Sequence, residues 1–291
     1  SSLTAPEALL PIWEGINGAD MTAVYPPGVL LFFRALAAIT LDPASMKWVA
    51  GVADLLIVWV LLDLCRLLRR RCVWVLAYAL HPLVLLSFAG EGHLDSLMIL
   101  PMMLGIRAMV QGHSLRAFVW LAIAIQAKYA AVVLWPFFIR RDSWRLCWIT
   151  PLLCLLPFAA FWPSSDTSPG WFASFSTYST HMHFNGGFHH ALALLIPLDW
   201  STAARVSTVL GLVGLLVWRL SNQHPVESAP IALAIVLLTA TNVHFWYLPW
   251  MIAPLVLSPS RPLQWWSVTA AALLCTWIAY EKTGIWQEQP A

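Results

Sequence analysis

Charge is what this sequence has least of. Asp, Glu, Lys and Arg make up 10% of its 291 residues, and the net charge is +2. A soluble domain carries about 25% charged residues, so an ordinary soluble fold is excluded. The 60% hydrophobic content excludes disorder as well. So small a net charge gives nucleic acid no electrostatic hold, and no such partner is expected. The five cysteines (Cys65, Cys72, Cys147, Cys154 and Cys275) form no CxxC pair, so neither a zinc site nor a disulfide framework is implied. The chain holds no Gly/Ser linker, no repeat of fixed period, no dinucleotide fingerprint and no nucleotide phosphate loop. It starts Ser1-Ser2, without a signal-peptide pattern.

What is present is apolar surface and aromatic rings. The 18 tryptophans suit belts at the two bilayer interfaces. A spanning helix needs roughly 20 apolar residues. Runs bounded by charges predict an all-α, polytopic membrane protein of about ten spans. They lie near 46–65, 72–89, 94–110, 115–127, 129–139, 146–162, 202–219, 229–242, 245–258 and 264–280. Two shorter pieces, 28–40 and 188–198, read as interfacial helices, the first entered through Pro26-Pro27. The whole reads as a single membrane domain, 1–291. Within it 1–44 is an outer loop with an amphipathic helix, 45–162 a set of core helices, 163–200 a second outer loop with a short helix, and 201–291 the C-terminal helices.

Basic residues set the sidedness. Arg66, Arg69, Arg70 and Arg71 form one cluster and Arg140, Arg141 and Arg145 another; both are predicted to face the cytoplasm. Arg107, Arg116, Arg219 and Arg261 fall on the same side. The stretch 115–139 has basic flanks and Lys128 near its centre. It reads either as two short segments meeting at Lys128 on the outer side, or as one span with a snorkelling lysine. Asp54 sits inside a span and is expected to make a structural polar contact. Asp63 and Arg66 are spaced to pair along one helix.

The opposite face collects the polar chemistry. Glu91, His93 and Asp95 lie in Gly90-Glu-Gly-His-Leu-Asp95, where either carboxylate could act as a base. Asp95 is also placed to cap the next helix. His and carboxylates are ligands for a divalent metal too, although the spacing is not that of a tight ligand set; no cofactor is required and a metal stays open. His181, His183 and Asn185 alternate, so an extended segment would put them on one face, as imidazole and amide groups for a sugar or a phosphate. His244, Trp246 and Tyr247 join them as candidate substrate-binding residues, with His93. Lys128 is the candidate for a lipid phosphate, with Arg34 and Tyr25 beside it. His189 and His190 read as interface-facing residues of the short helix.

Five segments, in order, resemble one family. Thr22-Ala-Val-Tyr-Pro-Pro-Gly28 resembles the "YPP" opening of an amphipathic helix in glycosyltransferases of the GT-C fold that use polyprenyl-phosphate sugars. The stretch Leu80 to Leu97, with Gly-Glu-Gly-His-Leu-Asp-Ser, is similar to their "G(H)xD(S/A)L" element. The Lys128 segment resembles their "L…K…P" helix, and Thr177 to Asn185 and His244-Phe-Trp-Tyr-Leu-Pro-Trp250 resemble their late aromatic motifs. The nearest relatives by this pattern are bacterial and archaeal mannosyltransferases. The resemblance spans residues 10–260. It departs at Ser87, where the family has Glu, and at Phe245.

The resemblance implies a GT-C fold in a prokaryotic plasma membrane with an extracytoplasmic site. It implies inverting transfer of a sugar, mannose above all, from a polyprenyl-phosphate donor to a glycan or glycolipid acceptor. The family's catalytic Asp closes a first spanning helix. This chain is expected to begin after that helix. Glu14 and Asp20 do not match that Asp, so the base is expected either to lie on that first helix, outside this sequence, or to be Glu91 or Asp95. A lipid-glycan flippase and a non-catalytic subunit of a glycosyltransferase are the alternatives.

Overall fold

The computed structural model describes residues 10, 23–161, 184–196, 198–221 and 224–283. The described residues form helices and turns, with two isolated β-bridges joining Phe184 and Asn185 to Asn242. Three helical stretches are long and apolar enough to cross a membrane: Ala44–Leu67, Trp144–Phe161 and Trp200–Ser221. A fourth is a pair, Cys72–Ala79 and Pro82–Gly90, bent by 55°. Several of the other predicted spans are apolar helices of 10–17 residues.

Local chemistry accounts for where the helices start and stop. Helix α1 (Pro27–Ala37) opens on proline, whose fixed φ and missing N–H suit the first helical position. Helix α2 (Ala44–Leu67) runs 24 residues, long enough at about 1.5 Å per residue to cross the hydrocarbon. Its buried Asp54 accepts a hydrogen bond from the Tyr78 hydroxyl at 2.7 Å, the structural contact expected of a lone carboxyl there. The bend in the next pair falls at His81-Pro82. The residue before proline is steered out of the helical region, and His81 sits at ψ 125°. Helix α3 (Ser96–Val110) and helix α4 (Ser114–Ala127) form a tight pair through a three-residue connection.

At Lys128 the backbone is extended (φ −158°, ψ 130°), and α4 stops. The chain then folds back. Ten residues on, the Phe138 ring lies 6.5 Å from that of Phe118 on α4. The short turns 129–134 and 135–138 thus run back along the helix that precedes them. Later come α5 (Gly187–Leu195), α6 (Trp200–Ser221), α7 (Pro225–Thr239), α8 (Pro249–Leu255) and α9 (Arg261–Thr269). The core is built from α2, α3, α4, α7 and α8, with Phe88, Met98, Met102, Phe118, Phe137 and Leu233 fully buried or nearly so.

The bundle has two chemically different ends. At one end Arg107 pairs with Asp63, and Arg70 donates to the Leu257 carbonyl while lying 3.5 Å from Glu227. Arg219 donates to the Pro136 and Ile139 carbonyls at 2.8 and 3.1 Å. Arg66, Arg69 and Arg71 adjoin Arg70 there. Asp63 is thus paired across helices and not with Arg66, the partner its spacing suggested, because the α3 guanidinium reaches it from the side. The other end holds Lys47, the 91–95 turn, Lys128 and the 240–250 segment.

Candidate functional site

The site is assembled where several element ends meet. Asp95 precedes α3, Lys128 follows α4, and Trp250 lies in the first turn of α8. The Lys128 Nζ donates to Asp95 Oδ1 at 2.6 Å, and the Trp250 indole N–H donates to the same oxygen at 2.6 Å. Asp95 is 5% exposed. Its carboxylate makes no cap hydrogen bond, so this side chain is drawn inward to Lys128 and not back to its own helix. The ammonium also lies 4.1 Å from the centre of the Tyr247 ring and 4.8 Å from that of Trp250. Those two rings stack at 4.5 Å. A cation over aromatic faces is further stabilised by their quadrupoles.

Beside this pair stands a column of four rings. His93 stacks on Trp246 at 4.0 Å, Trp246 on His244 at 4.2 Å, and His244 on Phe184 at 4.8 Å. Mutual stacking covers the ring faces between neighbours. Burial pushes His93 down to about 4, with the Asp95 charge opposing and the Lys128 charge adding to the fall. Burial, then Lys128 and His93, push His244 down to about 3. Both imidazoles are therefore neutral near pH 7. Each offers one donor and one acceptor, a match for sugar hydroxyls rather than for phosphate.

Phe184 and Asn185 reach the column through a short backbone pairing. The Phe184 N–H donates to the Thr241 carbonyl at 3.0 Å and the Val243 N–H to the Phe184 carbonyl at 2.7 Å. Asn185 adopts a positive φ of 52°, which asparagine tolerates better than most residues. Its side-chain amide donates to the Val243 carbonyl at 3.4 Å, so the amide ties the two segments together. His181 and His183 lie outside the described residues, as do Glu14 and Asp20. Glu91 is half-buried in the turn, and its carboxylate makes no hydrogen bond or ion pair among the described residues. His189, expected at an interface, is fully buried, its Nε2 3.2 Å from the Trp200 carbonyl oxygen. The Trp200 ring, at the start of α6, lies 5.2 Å from it.

Helix α1 docks against the end of α4. The Gly28 N–H donates to Gln126 Oε1 at 2.7 Å, and Gln126 Nε2 donates to the Cys154 carbonyl at 2.8 Å. A Cβ at Gly28 would stand 2.6 Å from Gln126 Cβ, so only glycine permits this approach. Tyr25 lies just ahead, its ring edge-on to Phe33 at 6.1 Å, and Arg34 is exposed further along α1. The structure thus brings Asp95, Lys128, His93, His244, Trp246 and Tyr247 together, and seats Arg34 on the neighbouring helix, with Tyr25 just before it. Trp250 and Gln126 were not singled out from sequence. Trp250 ends the aromatic motif that begins at His244, and Gln126 precedes Lys128 by two positions.

Between α1, α4 and residues 153–157 runs an apolar groove of about 530 Å³. Its lining includes Leu97, two residues past Asp95, and Gln126 and Ala127, the two residues before Lys128. Among the described residues no three His, Cys, Asp or Glu side chains are grouped to hold a metal ion.

Among the described residues the fold is helical, with apolar helices and a polar, aromatic-lined end, as in a membrane protein. Residues 11–141 match the family described as "Alpha-(1->6)-mannopyranosyltransferase, N-terminal domain", and the resemblance to mannosyltransferases is borne out. The chain is similar to Alpha-(1->6)-mannopyranosyltransferase A of Mycobacterium tuberculosis (strain ATCC 25618 / H37Rv), with 25% identity over 94% of this chain. It spans 59% of that relative's length. No solved structure matches it.

Proposed function

We propose that this chain forms the reaction centre of an integral-membrane mannosyltransferase. It takes mannose from a polyprenyl-phosphate donor and passes it, with inversion, to a hydroxyl of a glycan or lipid-linked acceptor. The acceptor oxygen attacks the anomeric carbon as the bond from that carbon to the phosphate oxygen breaks. The electron pair leaves with the phosphate, and the acceptor's proton passes to a carboxylate of the 91–95 turn. A lipid phosphate is already a good leaving group, so one carboxylate suffices.

The observation that carries this reading is the position of Lys128. Its ammonium sits at the end of α4, beside residues that line an apolar groove. A prenyl chain in the groove would deliver its phosphate to that charge. Electrostatic stabilisation of a departing anion in a dry site is among the larger contributions to catalysis. The neutral edges of His93, Trp246 and His244 are suited to orienting sugar hydroxyls. Under this reading the polar end faces the extracytoplasmic side of a prokaryotic plasma membrane, the basic end faces the cytoplasm, and the shorter apolar helices also cross or re-enter the bilayer.

Full-length protein in nanodiscs, given polyprenyl-phosphate-mannose and mannoside acceptors, tests this directly. A new mannosidic bond is the expected product. Transfer that is equally fast in the Lys128→Met variant would contradict the role given to Lys128.

A further inference from the structure

Two carboxylates share the 91–95 turn, and they are placed differently. The Glu91 carboxylate makes no hydrogen bond or ion pair among the described residues, its backbone N–H alone donating to the Leu86 carbonyl. Asp95 is held from both sides: its Oδ1 takes the Lys128 ammonium and the Trp250 indole N–H, each at 2.6 Å. The partners come from 33 and 155 positions away in the chain. Both hydrogen bonds fall on Oδ1, so the lone pairs of that oxygen are engaged by the ammonium and the indole. An ammonium with its side chain only 20% exposed depends on a nearby anion to stay protonated.

We infer that Asp95 is a positioning residue that acts through Lys128. It keeps the ammonium charged and fixed beside the stacked Tyr247 and Trp250 rings, where the departing phosphate needs it, and it is not the group that takes the acceptor's proton. This rests on the transfer reading given above. It deepens that reading by dividing the turn's two carboxylates, leaving Glu91 as the one open to an acceptor hydroxyl.

The titratable groups around Lys128 come from each element packed there. Asp95 approaches from the start of α3, His93 from the turn, His244 and Tyr247 from the segment before α8, and Tyr129 follows it in the chain. Helix α1, seated on the end of α4, carries Arg34, and Tyr25 lies just ahead of it. Asp95 is the anion in direct contact with the ammonium, so its neutralisation shifts the Lys128 titration downward.

Asp95→Asn keeps the shape and an accepting oxygen but removes the charge. The expected result is residual transfer with a raised KM for the lipid donor. The alkaline limb of kcat/KM moves to lower pH by about one unit or more, while the acid limb stays in place. Asp95→Glu restores the alkaline limb in part. A readout independent of turnover is the pH dependence of acetylation at Lys128, followed by mass spectrometry against Lys47 and Lys282, the other two lysines of the chain. It should show the same downward shift in Asp95→Asn. Asp95→Ser, which leaves room for water beside the ammonium, carries the same expectation if the amide variant does not fold.

Transfer abolished in Asp95→Asn together with an unchanged Lys128 titration would overturn the inference and make Asp95 the base. An unmoved alkaline limb would overturn it too. Wild-type protein without transfer would count against the mannosyltransferase reading, while the acetylation profile would still decide whether Asp95 governs Lys128.

Discussion

At the residue scale the site depends on Lys128 and on what surrounds it. A buried ion pair is a weak source of net stability, but removing one partner leaves the other uncompensated, at about 3–5 kcal/mol. Lys128→Met therefore acts on stability and on rate together. We expect transfer to fall at least about 100-fold, the scale seen when one oxyanion donor is lost, together with a lowered unfolding midpoint in denaturant. Lys128→Met with Asp95→Asn should recover much of the stability and none of the rate. The two histidines of the ring column set a pH dependence of their own. Their ordinary value is 6.5, and in the folded protein they stand at about 4 and about 3. Above pH 6.5 both states are neutral and nothing is lost. Below it the unfolded chain takes protons that the folded chain refuses, so stability falls by up to about 1.4 kcal/mol per pH unit for each ring. Thermal unfolding followed from pH 7.5 to 4.5 should show this, and His244→Phe should flatten the slope. An equal slope in the variant would show that His244 is not the source.

At the element scale the decisive contacts lie at helix ends and close approaches. Gly28 against Gln126 seats α1 on α4, and Gly92, at φ 72°, sits against the Lys47 backbone with no room for a Cβ. Gly28→Ala should unseat α1 and cost about 1–3 kcal/mol, the usual penalty for overpacking, read as a lowered melting temperature and as a raised donor KM from the disturbed groove. The helices themselves were legible in the sequence where long apolar runs meet charges: α2, α6 and the 144–161 stretch fall close to the spans expected. The bend at His81-Pro82 divides what read as one span at 72–89, because a proline's effect on its neighbour is local but its consequence is a change of direction. The partner of Asp63 was missed for a related reason. Spacing along one helix offered Arg66, whereas the arginine that reaches Asp63 comes from 44 positions away. Trp250 shows the same limit: its place in an aromatic motif was visible, but its hydrogen bond to Asp95 exists only once α3 and α8 are packed.

At the scale of the whole molecule, charge separates the two ends. Arginines gather at one end, and the aromatic, ionisable site occupies the other. Charge counting along the sequence anticipated this division, since basic loops alternate with polar, aromatic ones. Membrane sidedness follows from it in the proposed reading. In a protein whose native cysteines are replaced, Asp142→Cys should react with an impermeant thiol reagent only from the cytoplasmic side, and Ala23→Cys only from the opposite side. Reaction of both from one side would contradict the orientation. The most direct test of the central claim is mannosyl transfer by the full-length protein in nanodiscs from polyprenyl-phosphate-mannose, wild type against Lys128→Met. The account predicts an inverted mannosidic product from the wild type and at least a 100-fold loss in the variant. Well-folded wild type without product, or a variant as active as the wild type, would contradict it.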